Sequence, residues 1–305
     1  MSERELIVLG TASQSPTRHR NHNGYLLRWD GEAILFDPGE GTQRQFTFAE
    51  VSPATITRVC ISHFHGDHCL GLPGVIMRVA LDQGALPLPV HFPASGQQYF
   101  DRLRLASAGQ EHVPVEARPT EPGVVYTDER FTLSCARLEH RIDSFGWRLA
   151  EPDGRRMLPD RLRSFGIDGP DVGRLQAAGS LDVGGRTVYV NDVSAHRPGQ
   201  SFAFIMDTRW CAAALDLAQG VDLLVCESTY LSADEHLATE YGHMTARQAG
   251  RLAALAGARR LVLTHFSRRY GDDVAAFAAE AGEEFDDVVV ANDFDRINVP
   301  ARRET

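Results

Sequence analysis

A chain of 305 residues with 43% hydrophobic and 24% charged side chains can bury a substantial core, as one large domain or two small ones. No apolar run approaches the roughly 20 residues that span a bilayer. The net charge of −10 argues against a surface that binds nucleic acid all over, though carboxylates gathered on a cation are neutralised and a local basic patch can still meet phosphate.

In chain order, the opening MSERELIVLG is charged from its third residue and runs straight into an apolar strand, unlike a signal peptide. Short strand-like runs follow at 5–10, 24–29 and 32–37, and then TRVCISH at 57–63. From there the pattern alternates. GLPGVIMRVALDQG and ASGQQYFDRLRLAS read as helices around the strand-like PVHF. The second half repeats the alternation with SFAFIMD, CAAALDLAQG, VDLLVCES, TARQAGRLAALAG, RRLVLTHF, DDVAAFAAEAGEEF and DVVVAND. Strands on both sides of the middle point to two packed sheets with helices outside, an α/β (α+β) sandwich. Between about 150 and 200 the pattern fails. The stretch is rich in Gly, Pro, Asp and Arg, poor in apolar residues, and expected to project from a single domain spanning 1–305 as an insertion over 151–197. The five cysteines (60, 69, 135, 211 and 226) are scattered in apolar runs and read as buried free thiols of a cytoplasmic protein. The chain has no lysine. Arginine suits bidentate phosphate contacts, but GC-rich codon usage gives the same bias and is the simpler explanation.

The chemistry concentrates at His63-Phe64-His65-Gly66-Asp67-His68, directly after a strand. Three imidazoles and a carboxylate in six residues suit an ion of borderline softness such as zinc. His63 and His65 can face one ion while Asp67 and His68 turn to a second; the bland alternative is a histidine-rich surface loop. Further donors follow apolar runs at His140, Asp207 and His265. Each alone is unremarkable, but the strands before them should deliver all three to one sheet edge, and a carboxylate commonly bridges two close ions.

SHFHGDHCLGLPG at 62–74 resembles the main motif of the RNase Z family of the metallo-β-lactamase superfamily. So do VLGTASQSPTRHRN (its P-x-K-x-R-N loop), FDPGEGTQRQ at 36–45, MDTR (G-D-T-R), CEST (H-E-A-T), GHMTARQA (the H-S-T loop), LTHFSRRY and VAND-F, so the likeness runs nearly end to end. Arg18 stands at the usual lysine, Met206 at a small residue, Cys226 at the histidine of H-E-A-T and Met244 at the serine of H-S-T. The resemblance implies an αββα sandwich of two mixed sheets and a cytoplasmic, homodimeric endoribonuclease that removes the 3′ trailer of precursor tRNA with two zinc ions. It implies that His63, His65 and His140 hold one ion, and Asp67, His68 and His265 the other, with Asp207 bridging. Hydroxide would attack the phosphodiester in line, Asp67 orienting it and taking its proton, while His243, paired with Glu227, protonates the leaving ribose oxygen. A nearby carboxylate favours imidazolium, and Glu227 is expected to prevail over the opposing dipole of a helix that Thr245 and Gln248 should cap.

Arg18, Arg20 and Asn21 are expected to contact substrate. Gly169-Pro170 resembles the family's arm, which grips the tRNA elbow from the partner subunit, with Arg155, Arg156, Arg161 and Arg163 as its cations. Over 151–186 six arginines meet six acids, so this arm is no strongly basic clamp. The rivals are a phosphodiesterase or other hydrolase of a small substrate on the same fold, which needs neither His243–Glu227 nor an arm, and an RNA-binding module that has lost its chemistry.

Overall fold

The computed structural model describes residues 4–109 and 112–302. Two seven-stranded mixed sheets pack face to face. The first runs Arg296–Asn298, Arg4–Gly10, Gly24–Trp29, Glu32–Phe36, Arg58–Cys60, Leu88–Pro93, Val115–Thr120. The second runs Val288–Val290, Leu261–Thr264, Leu223–Glu227, Ser201–Ile205, Ser144–Ala150, Thr132–Leu138, Gly123–Thr127. Strands covered on both faces read as unbroken apolar runs. Accordingly, every residue of Ser201–Ile205, Leu223–Glu227 and Leu261–Thr264 is buried. Tyr25, Trp29, Phe36, Trp147, Phe202 and Phe204 fill the layer between the sheets, so both halves of the chain share one core.

Helices cover the outer faces. Ala246–Ala256 begins on the expected capping box: Thr245 Oγ1 accepts the Gln248 N–H and Gln248 Oε1 accepts that of Thr245. It buries Ala246, Ala249, Leu252, Ala253 and Ala256 at helical spacing and stops at Gly257, φ 65°. Its Gly250 lets the neighbouring helix Ala275–Gly282 approach, since a Cβ there would lie 2.6 Å from the Ala281 carbonyl oxygen. The parallel strands Glu32–Phe36 and Arg58–Cys60 of one sheet, and Ser201–Ile205, Leu223–Glu227 and Leu261–Thr264 of the other, end just before Asp37, His63, Asp207, Ser228 and His265. Their carboxyl ends thus place polar side chains together, where open sheets carry ligands.

The 151–197 stretch departs from its expected lack of a core. Helices Pro159–Ser164 and Pro170–Ala178, the hairpin Ser180–Val183/Arg186–Tyr189 and the ladder Gly154–Met157/Ser194–Arg197 enclose Leu162, Ile167, Leu175, Val188 and Val193. Its strands pair only with each other, and this apolar cluster shares no member with the other three. Its apolar residues are spread singly over helix and hairpin positions, so no window of sequence shows a run.

Candidate metal centre

The loop His63–His68 and the three distant donors meet in one place. His65 Nδ1 lies 2.9 Å from His63 Nε2 and 3.3 Å from His140 Nε2. Asp207 Oδ2 lies 3.5 Å from His63 Nε2 and 3.6 Å from His140 Nε2. The other oxygen of Asp207, Oδ1, turns to a second set, 3.3 Å from His68 Nε2 and 3.1 Å from His265 Nε2. Asp67 Oδ2 completes that set at 3.4 and 3.5 Å from the same two nitrogens. Tetrahedral donors about 2.0–2.1 Å from an ion lie roughly 3.4 Å from one another, so these separations fit metal binding. Asp207 Oδ1 and His265 Nε2 are also buried with no hydrogen-bond partner, a cost that an ion removes.

The tautomers are fixed from behind. The Ser62 hydroxyl and N–H donate to Asp37, both at 2.6 Å, so the Ser62 oxygen accepts from His63 Nδ1–H at 2.9 Å. Asp37 also accepts from His68 Nδ1–H at 2.8 Å. The Thr229 hydroxyl donates to Glu227 at 2.6 Å and accepts from His265 Nδ1–H at 2.8 Å, while the Gly242 carbonyl accepts from His140 Nδ1–H at 2.8 Å. Four imidazoles therefore aim Nε2 lone pairs inward, the outer support that tunes metal ligands. Three residues of this assembly hold left-handed backbone, Asp37 (φ 44°), Asp207 (φ 31°) and His265 (φ 64°), strain that concentrates at functional sites.

Burial pushes His63 far below the usual histidine value and His65 down to about 4; in His68 burial acts downward too, but the Asp207 and Asp67 carboxylates outweigh it and raise the ring well above that value. In Asp207, burial acts upward but His265 and His68 outweigh it and hold the carboxyl well below its usual range. His243 stands beside the cluster. Burial lowers its pKa, but the Glu227 and Asp207 carboxylates and the Glu227 hydrogen bond override this and raise it to about 9. Its Nδ1 lies 3.0 Å from Glu227 Oε1; Glu227 is wholly buried and also accepts the Thr208 N–H at 2.7 Å and the Met244 N–H at 3.2 Å. A cavity of about 530 Å³ opens over this group, with His65, Asp67, His140, Asp207 and His243 in its wall and Tyr230, Tyr241, Arg141, Arg268 and Leu70 around it.

Over residues 17–213 the chain matches the metallo-beta-lactamase superfamily, and over 189–266 a beta-lactamase superfamily domain. It is 58% identical to the ribonuclease Z of Nocardia farcinica, covering 99% of this chain and all of that one. The ribonuclease Z of Salinispora arenicola is 55% identical over 99% of this chain and 98% of its own length. The chain belongs to the ribonuclease Z family. It is thereby a metal-dependent endoribonuclease with the metallo-β-lactamase fold. Human tRNase Z, short form, shares that architecture at a TM-score of 0.69 and 26% identity, covering 97% of this chain and 100% of that one.

Other residues expected at a ribonuclease Z substrate surface are placed unevenly. Arg18 is exposed and makes no hydrogen bond or ion pair among the described residues. Arg20 is buried, its guanidinium donating to Thr11 Oγ1, the Ala291 carbonyl and Asn292 Oδ1 at 2.8–2.9 Å, and Asn21 donates to the Glu40 carbonyl at 2.8 Å. Both side chains hold the loop together, and of the two Arg20 is withdrawn from solvent. In the 151–197 stretch, Arg155 donates to Ser194, Arg161 to the Asp192 carbonyl, and Arg163 pairs with Asp160, leaving Arg156 without such a partner. Gly169, φ 49°, caps the helix that Pro170 begins. Sequence reasoning quoted Asp37, Thr229 and Gly242 but gave them no role. Asp37 follows a strand as Asp207 does, and that position was the available signal.

Proposed function

We propose that this ribonuclease Z is zinc-dependent and cuts the 3′ trailer from precursor tRNA. One observation carries the reading: the buried His243–Glu227 pair beside seven metal donors. A small ester with a weakly basic leaving group needs no proton donor. An RNA phosphodiester cut to leave a ribose 3′-oxygen does.

His63, His65 and His140 would hold one ion and Asp67, His68 and His265 a second, with Asp207 shared; imidazole and carboxylate donors suit zinc. When bound, the ions supply Lewis acidity toward the phosphodiester and make a water acidic enough to attack near neutral pH. Asp67, whose Oδ2 accepts the Gln14 N–H at 2.7 Å, is placed to take the proton of the attacking water. Glu227 occupies His243 Nδ1, leaving Nε2 to protonate the leaving oxygen. Residues 151–197 would grip the body of the tRNA by shape and a few cations, from the partner subunit of a homodimer. Five buried free cysteines accord with a cytoplasmic location, and among the described residues no helix is long and apolar enough to cross a membrane.

The test is to incubate the purified protein with a 3′-extended precursor tRNA, map both new ends and measure bound metal. The expected result is one endonucleolytic cut leaving a 3′-hydroxyl on the tRNA, with close to two zincs per chain. Hydrolysis of small phosphodiesters with no cut in precursor tRNA would overturn the substrate and favour the small-substrate rival.

A further inference from the structure

Beside the metal centre lies a second cleft, of about 400 Å³, that the chemistry above does not use. The two share one loop. Gln14 and His22 line the metal cavity, while Thr17–Asn21 line the cleft. Across from that loop stand Arg44, Phe48 and Phe294. Both phenylalanines are half exposed, 51% and 41%, whereas Phe36, Phe46, Phe92, Phe202 and Phe204 are fully buried. They meet edge to face at 6.0 Å between ring centres, and the Arg44 guanidinium lies 4.6 Å over the Phe48 ring.

Phe294 holds a positive φ of 74°, a costly backbone conformation for so bulky a residue. The framework imposes it. The Phe294 N–H donates to the Val8 carbonyl at 2.7 Å, the Val8 N–H to the Asp295 carbonyl at 2.9 Å, and Asp295 caps the turn by accepting the Asn292 N–H at 2.8 Å. The result is an aromatic ring held outward beside cations with no ion-pair partner among the described residues, Arg18 and Arg44. The buried Arg20 staples the same loop to Ala291 and Asn292, so the two walls of the cleft are fixed to one another.

Exposed rings with a stacked guanidinium and neighbouring cations form the chemistry that holds single-stranded nucleic acid, bases on the rings and phosphates on the arginines. A duplex offers no base faces to such a platform. We propose that this cleft binds unpaired nucleotides of the 3′ trailer, just beyond the scissile bond, with Phe48 and Phe294 as the stacking platform and Arg18 and Arg44 on the phosphates. This rests on the precursor-tRNA reading. The acceptor stem is paired, so the strand leaving the metal cavity past the cut is the part of that substrate that brings free bases to this side of the centre.

The test compares two precursor tRNAs that differ only in trailer length, one unpaired nucleotide against about eight. The unsubstituted protein should show a KM roughly tenfold lower for the long trailer, as one stacked base provides. Phe48→Ala with Phe294→Ala should abolish most of that ratio, while Phe48→Tyr with Phe294→Tyr keeps it. Phe294→Gly guards against misfolding as an explanation: glycine accepts the backbone conformation, so this variant should keep a cooperative melting transition and still lose the long-trailer advantage. Arg18→Gln and Arg44→Gln should each reduce the salt slope of long-trailer binding by about one. A parent that treats both trailers alike, or variants that lose equally on both, would overturn the subsite. Failure of the parent to cut either RNA would remove the subsite together with the proposed substrate, and that outcome is visible before any residue is changed.

Discussion

The metal centre and the 151–197 insertion use charge in opposite ways. In the centre, carboxylates and imidazoles from residues 37 to 265 are drawn together, two of their buried atoms, Asp207 Oδ1 and His265 Nε2, lack a hydrogen-bond partner, and the backbone is left-handed at three positions. In the 151–197 stretch two exposed pairs join near neighbours, Arg163 with Asp160 and Arg174 with Asp171. Such surface pairs contribute little, and a small apolar cluster of its own holds the insertion together. Buried polar atoms without a partner mark where an ion fits.

The comparison can be broken first at the shared carboxylate. Asp207→Ala takes a donor from both sets, and loss of several kcal/mol of Lewis-acid stabilisation should slow cleavage by at least about 10³-fold and lower metal content. Full activity with a single tightly bound metal would refute the paired sets. His243→Ala should slow cleavage of precursor tRNA by roughly 10²–10⁴-fold with metal content intact, and hydrolysis of an ester with a weakly basic leaving group much less. Equal loss on both substrates would mean that His243 supports the ligands. Because Glu227 raises the His243 pKa, Glu227→Gln should also move the alkaline limb of the rate profile to lower pH: with the carboxylate gone, the imidazolium loses its proton sooner.

Asp37→Asn probes the layer behind the ligands. It removes the acceptor that orients His68 and, through Ser62, His63, and should weaken metal affinity by about 10–100-fold in competition with a chelator. The insertion should give the smallest effect. Replacing 154–197 with a Gly/Ser linker should raise KM for precursor tRNA by about tenfold at unchanged metal content, since a surface remote from the donors supplies binding alone. Neutralising Arg155, Arg156, Arg161 and Arg163 together should lower the salt slope by about one, not four, because among the described residues Arg156 alone of the four makes no hydrogen bond or ion pair. A drop near four would show that the local pairs open on binding and that the insertion is a charged clamp after all.

The same contrast explains what could be read from sequence. Strands such as Leu223–Glu227 are buried on both faces and announce themselves, as does the capped helix at Thr245. The seven donors stood out because each follows an apolar run or sits in a dense motif, whereas the His243–Glu227 pair came only from the resemblance of CEST and GHMTARQA to the family's loops. Val115–Thr120 and Gly123–Thr127 went unread because, as edge strands, they are largely exposed and carry no alternation. Which hydroxyl sets which imidazole tautomer depends on contacts across both sheets, as when Thr229 serves Glu227 and His265 together. No local pattern encodes that, nor the turning inward of Arg20.

The donors also set a timetable. They are split between a loop at 63–68 and strand ends reaching His265, and the strand Leu261–Thr264 that delivers the last of them pairs with Val288–Val290. Arg4–Gly10, in turn, borders Arg296–Asn298. A chain emerging from the ribosome therefore carries the histidine-rich loop long before it can close a cutting centre, which stays inert until the strand that delivers His265 and the strand beside it have been made.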